Sequence, residues 1–188
     1  MKVFFTASQR GKKYFDKYYK QISKTIDNLQ HKQLDNTLIT VPSKQFYGKL
    51  ERTGRDGYIE LYEKNNKCIH EADINIFETS IHSLSIGYMI DKSIELGKPT
   101  LVLYYKDNLA HFIEGIKSDK LIVKSYDDNN IENVIKDSIV EAGKLQDKRF
   151  NFFISPRLLD YVNIQSKNEG ITKSALIRQL ILAHMKNN

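Results

Sequence analysis

Through residue 143 the chain alternates short apolar, β-rich runs with longer stretches of helical spacing. The apolar runs are Val3–Ala7, Leu38–Val41, Ile74–Phe77, Leu101–Tyr105 and Leu121–Val123. Between them, helical patterns cover Lys13 to about Asn28, Tyr58 to about Ile69, Leu84–Leu96, a short piece near Leu109–Ile116, and Ile131–Leu145. Gly97-Lys98-Pro99 stops the third of these, since Gly ends a helix and Pro blocks its continuation. Strands that are apolar on both faces must be covered on both faces, so the pattern predicts a parallel sheet with helices above and below. Five such units make residues 1–145 an α/β domain with a five-stranded, doubly wound parallel sheet. Pro42–Gly57, polar and punctuated by glycines, is predicted to be the one long loop.

A different pattern begins at residue 147. Phe150, Phe152 and Ile154 fall on one face of a predicted strand, and Arg149, Asn151 and Phe153 on the other. Ser155-Pro156 then supplies a helix cap and a first-turn proline. Leu158, Leu159, Val162 and Ile164 give that helix an apolar side. Gly170 ends it, Thr172 caps the next, and Ala175, Leu176, Ile177, Leu180, Ile181 and Met185 line a second amphipathic helix. One strand and two helices cannot bury this surface, and a lone strand has no partner for its backbone groups. Residues 147–188 are therefore expected to dimerise strand against strand, with Gln146-Asp147-Lys148 as a short hinge from the first domain. Charge separates the two parts as well. The chain carries a net +6; from Lys144 to Asn188 there are eight Lys/Arg and three Asp/Glu, against 21 and 20 before them. The positive excess on the small domain suits a phosphate-seeking surface.

Over its whole length this segment resembles the ribbon-helix-helix repressors of the Arc and MetJ type, most closely from Gly170 to Arg178. The resemblance implies a homodimer that lays a two-stranded ribbon into the major groove of double-stranded DNA. Carried over by position, Arg149, Asn151 and Phe153 would face base edges. Arg suits guanine and Asn suits adenine, while Phe153 departs from the usual polar residue, which leaves it either a thymine methyl or a weakened base reading. Thr172, Lys173 and Ser174 would hold a phosphate at the start of the second helix.

In the first domain, Thr6-Ala7-Ser8-Gln9-Arg10-Gly11-Lys12-Lys13 turns from strand to helix with small residues and three cations. Amides at a helix start attract anions. In the flavodoxin/Rossmann-like strand order 2-1-3-4-5, this turn meets the one after the third strand at the switch point where ligands bind. The two loops there resemble the nucleoside 2-deoxyribosyltransferase and 2′-deoxynucleoside 5′-phosphate N-hydrolase family, over roughly residues 2–125. The family's G-S-x-R-G appears as Ala7-Ser8-Gln9-Arg10-Gly11, and its A-D-x-x-x-x-E as Ala72 to Glu78. Its serine loop and G-Y pair appear as Ser83 and Gly87-Tyr88. The resemblance implies that Ser8, Arg10, Gly11 and Ser83 hold the 5′-phosphate of a nucleotide monophosphate. It also exposes departures: the nucleophilic glutamate is Met89, a second carboxylate is Asn65, and a first-strand tyrosine is Phe4. Cleaving an N-glycosidic bond needs carboxyl groups to stabilise the sugar cation and manage the proton. A thioether does neither, so no catalytic residue is assigned; Glu78 and Asp91 are the nearby carboxylates that a relocated activity would use.

The remaining features narrow the setting. No secretory leader and no apolar span of membrane length is expected. One cysteine, Cys68, excludes an internal disulfide framework and fits the cytoplasm. The five histidines lack ligand spacing, so neither a metal nor another cofactor is expected. Together these observations point to a DNA-binding regulator with a catalytically degenerate nucleotide-binding domain. The alternative is an active deoxynucleotide N-glycosidase or deoxyribosyltransferase dimerised by its tail.

Overall fold

A computed structural model describes residues 1–109, 111–146 and 151–186. The chain divides into two compact units, Met1–Asp147 and Lys148–Asn188.

In the first unit five parallel strands form one sheet: β1 (Lys2–Ala7), β2 (Lys32–Gln33), β3 (Ile74–Glu78), β4 (Thr100–Tyr105) and β5 (Leu121–Tyr126), in the order β2-β1-β3-β4-β5. Helices α1 (Lys12–Asn28) and α5 (Ile131–Lys144) cover one face, where Val3, Phe5, Ile74, Ile76, Leu101 and Leu103 pack on Tyr19, Ile22, Ile26, Ile135 and Ile139. Helices α3 (Ser43–Glu71) and α4 (Leu84–Glu95) cover the other, over Phe4, Phe77 and Val102. Strand residues thus alternate between two cores, the reason these runs are apolar throughout. One polar residue interrupts the second core. Asn75 on β3 donates to Ser93 Oγ at 2.8 Å, and Ser93 bonds Thr100 at 2.7 Å, tying α4 to the sheet without unpaired hydroxyls. At the far edge, Asp128 accepts from Lys17, Tyr18 and Tyr105, stitching α1 to the β5–α5 loop.

Two expected elements are wrong, for related reasons. Leu38–Val41 is not a strand. Thr37–Thr40 form a single helical turn, α2, whose Leu38 is buried and whose carbonyls are capped by Lys12. The edge strand is Lys32–Gln33, only two residues long and polar, a form common at sheet edges. Nor is Pro42–Gly57 a loop. Pro42 stands just before α3, which runs from Ser43 to Glu71 and absorbs the expected Tyr58–Ile69 helix. The glycines misled because one of them breaks the helix without ending it. Gly54 sits at φ 55°, ψ −138°, a region open essentially to glycine alone, and splits α3 into arms of residues 43–53 and 55–71. The short helix near Leu109–Ile116 is a 3-10 turn at His111–Gly115.

The second unit contains α6 (Pro156–Asn168) and α7 (Lys173–Lys186). Their ends follow the sequence. Ser155 is extended before Pro156, Gly170 takes φ 65°, Ile171 N returns to Ser166 O, and Thr172 Oγ1 caps Ala175 N at 3.2 Å. The expected strand is not formed among the described residues 151–155: a ladder needs a second strand, and the described residues of this unit contain none. Arg149 and Phe150 lie outside the described residues. Of the apolar residues on α6 and α7, Val162 and Leu176 are buried, whereas Leu158, Tyr161, Ile164, Leu180, Ile181 and Met185 are exposed; Phe153, before α6, is fully exposed. No helix among the described residues is long and apolar enough to cross a membrane.

Gly54→Ala is expected to destabilise the protein by about 1–3 kcal/mol, the strain of a side chain in that backbone region. Gly48→Ala, where a new Cβ meets nothing within 4 Å, is expected to be neutral or stabilising. Thermal unfolding of the two variants checks the contrast; equal melting temperatures would show that Gly54 can relax.

Candidate functional site

Parallel strands all end on one edge, and the chain leaves β1 for α1 on one face but β3 for α4 on the other. At that divergence lies a cleft of about 230 Å³. One side is the β1 end, Thr6 to Arg10; another is Ser83, Ser85, Ile86 and Met89 at the start of α4. Asp35, Thr37 and Leu38 follow the edge strand, and α3 contributes Phe46, Tyr47, Leu50, Tyr58, Leu61, Lys64 and Asn65.

The fold therefore brings together Ser8, Arg10, Ser83, Asn65 and Met89, which lie far apart in sequence. Ser8 is nearly buried, Arg10 is exposed, and Met89 packs among Ile86 and Ile90 while also facing the cleft. Gly11 lies behind the cleft. A Cβ there would come within 2.0 Å of the Tyr19 hydroxyl, so this position must be glycine for Tyr19 to pack. Lys12 does not add free charge to the loop. Its ammonium donates to Leu38 O at 2.7 Å and Val41 O at 3.0 Å, holding α2 against α1. Gln9 and Ser43 add to the same tether, Ser43 Oγ donating to Gln9 O at 2.7 Å. Phe4 lies in the core, not in the cleft. Asp73 accepts from Lys2 N at 2.7 Å and so belongs to the amino end of the sheet, away from the cleft.

Both carboxylates that a relocated activity would use are elsewhere. Asp91 is exposed and does not line the cleft. Glu78 is fully buried and sealed from it. Its Oε1 accepts from Ser80 N at 3.3 Å, Ser80 Oγ, and Tyr126 OH at 2.9 Å. The Tyr19 hydroxyl is directed at the same carboxyl, but neither it nor Oε2 completes a hydrogen bond of good geometry. Burial raises the Glu78 pKa above its ordinary 4.5, against the smaller opposing effect of these donors. The same burial, followed by the nearby carboxyl, pushes Tyr19 and Tyr126 upward.

The carboxylate that does line the cleft is Asp35, which the sequence pattern did not reveal. Its Oδ1 accepts from Lys64 Nζ at 2.7 Å and from Thr37 Oγ1 at 2.7 Å. Lys64 also donates to Thr37 Oγ1 at 2.7 Å, closing a three-membered network. The signal was present: an acidic residue just past an edge strand. It was unreadable because the apolar pattern puts that strand later in the chain. The aromatic wall of Phe46, Tyr47 and Tyr58 was hidden in a similar way, since half of it falls in the expected loop.

Residues expected to meet DNA fall in the second unit. Asn151 and Phe153 precede α6 in the segment without regular structure, and Arg149 is outside the described residues. Thr172 caps α7, with Lys173 and Ser174 exposed in its first turn.

The sequence matches no protein-family model and no curated protein. Among solved structures it is similar to the CMP N-glycosidase BcmB from Clostridium botulinum, with a TM-score of 0.51 at 16% identity, over 75% of this chain and 99% of that one. The likeness is one of fold, and it agrees with the fold implied for the N-terminal unit by the deoxyribosyltransferase resemblance.

Because its folded-state pKa is raised, Glu78 contributes stability that is fully present below the ordinary carboxyl value of 4.5 and is lost as pH rises through the raised value. Glu78→Gln removes the titration. The variant is expected to gain stability relative to wild type as pH climbs from acid to neutral, with little difference at acid pH. Denaturant unfolding across that range checks this; a constant offset would mean that Glu78 does not titrate differently on folding.

Proposed function

We propose that the first unit binds a nucleotide 5′-monophosphate without cleaving it, and that the second dimerises and binds double-stranded DNA. The protein is then a nucleotide-responsive DNA-binding regulator. The observation that carries the first half is the chemistry of the cleft. Ser8, Arg10 and Ser83 offer hydroxyls and a guanidinium to a phosphate, while Met89 faces the same space and the lining carboxylate, Asp35, is held by Lys64. Anchoring groups are present, and among the described lining residues a free carboxyl group to capture or stabilise a sugar cation is not. BcmB is an N-glycosidase of CMP, so pyrimidine nucleotides are the first ligands to test.

Support for the second half comes from the helix pair. Its exposed apolar side chains ask for a second copy, and its charge asks for phosphate. Regulation then requires only that the nucleotide bind the DNA-free and DNA-bound states with different affinity. A second reading, N-glycosidase activity, is favoured by Asp35 itself, a carboxylate facing the cleft on a fold shared with an enzyme of that class.

Calorimetry with CMP and dCMP is expected to show binding to the wild type and at least a ten-fold loss in Arg10→Ala, a charge-assisted hydrogen bond being worth roughly 1.5–3 kcal/mol. Chromatography of the same mixtures is expected to show no free base. Turnover that disappears in Asp35→Asn would establish the second reading instead.

The regulator is expected to retard fragments of its own upstream region at low salt. Arg149→Ala and Asn151→Ala should relax sequence preference, each by about 1–3 kcal/mol of base discrimination. Lys173→Ala should weaken all sequences alike. Removing residues 147–188 should abolish the dimer in light scattering; an unchanged assembly would place the dimer interface elsewhere.

A further inference from the structure

Glu78 has no part in the cleft chemistry described above, yet it lies directly behind the loop that would hold the phosphate. In the β1–β3 ladder Glu78 is the partner of Ala7, the residue before Ser8. Gly11, at the other end of the loop, rests on the Tyr19 hydroxyl, which faces Glu78. Ser80, bonded to the carboxyl, also accepts Tyr105 N at 2.7 Å, fixing the turn that leads to Ser83. One buried acid thus braces both loops of the cleft from the rear.

From this arrangement we propose that Glu78 is a positioning residue for the anion-binding loop, and that it acts as the neutral acid. The inference rests on the nucleotide-binding reading of the cleft. The groups facing the carboxyl are Tyr19 from α1, Tyr126 from β5 and Ser80 from its own turn, all neutral donors. Behind Tyr19, Asp16 on α1 adds negative charge. Among the described residues no cation pairs with Glu78, and Lys12 is held by the α2 carbonyls. A carboxylate here has nothing to neutralise it, and a bound phosphate would be a second anion across one layer of backbone. Ionisation of Glu78 and anion binding therefore oppose each other, and the opposition is reciprocal: anion binding must hold the proton on Glu78. Because Oε1 already takes three donors, Oε2 is the oxygen that carries the proton, toward the unpaired Tyr19 hydroxyl.

Sulfate is the direct probe, since its charge is constant where a nucleotide phosphate still titrates, at about pH 6. Amide shifts of Ser8–Gly11 in the full-length protein report its binding. Between about pH 5 and about pH 8, wild-type affinity for sulfate is expected to fall at least about five-fold, the lower end of ordinary coupling. Glu78→Gln should keep the acid-pH affinity throughout, and Glu78→Ala, which removes the brace, should bind weakly at every pH. His82 is exposed beside Ser83 and serves as the control: His82→Gln is expected to leave the slope in place. If Glu78→Gln retains the wild-type slope, or His82→Gln removes it, the inference is overturned while the cleft remains an anion site. No sulfate or CMP binding at any pH would overturn both. Should Glu78→Gln fail to fold, the wild-type Glu78 carboxyl resonance decides: its titration is expected to move to higher pH with sulfate, and an unmoved titration overturns the proposal.

Discussion

The pairing of β1 with β3 is the constraint on which the rest of the first unit depends. Five consecutive partners, from Val3 with Ile74 to Ala7 with Glu78, set two strands side by side although about seventy residues separate them. Their following helices go to opposite faces, so the loops part at the carboxyl edge and a cleft opens. The register decides what the cleft contains. With Ala7 beside Glu78, Ser8 and Arg10 turn toward the space that Ser83 and Met89 reach from the other side. A one-residue slip would exchange the two faces of β3 and place Asn75 and Phe77 among the residues of the α1–α5 core.

The sheet was legible because its central strands are buried on both faces, and continuous apolar runs such as Leu101–Leu103 have few other destinations. What failed was the edge. An edge strand needs little hydrophobicity, so Lys32–Gln33 carries no signal, and the apolar Leu38 nearby attracted the assignment. That error hid Asp35, and reading glycines as loop markers hid Phe46 and Tyr47. Ser8, Arg10 and Ser83 converge on the cleft because their loops follow β1 and β3, a placement readable from the motifs' distances to the strand ends. Residues contributed by α3 come from a helix bent at Gly54, and no local pattern gives the direction of a bend. Gly11 carries a need that its place in a phosphate-loop motif does not reveal, room for Tyr19.

The second unit marks the limit of reasoning from one chain. Its helix caps at Ser155, Gly170 and Thr172 are local and were readable. The expected strand is not local, because a ladder requires a second strand to pair with. The apolar side chains that stay exposed on α6 and α7 are the counterpart of that missing ladder: a sequence patterned for burial that a single copy does not bury.

Charge distribution in the cleft ties these observations to chemistry. The carboxyl groups Asp35, Asp91 and Glu78 stand in three different physical settings. Asp35 is neutralised by Lys64, Asp91 is exposed to solvent, and Glu78 is buried where the neutral form is favoured. Among the described lining residues, Arg10 is then the uncompensated charge facing the space, with Ser8 and Ser83 beside it. Such a set presents hydroxyls and one guanidinium to the space. Met89 both lines the cleft and packs with Ile86 and Ile90 in the core beneath it. A charge introduced there would need a partner or water from the cleft side, because the Ile86 and Ile90 side offers neither.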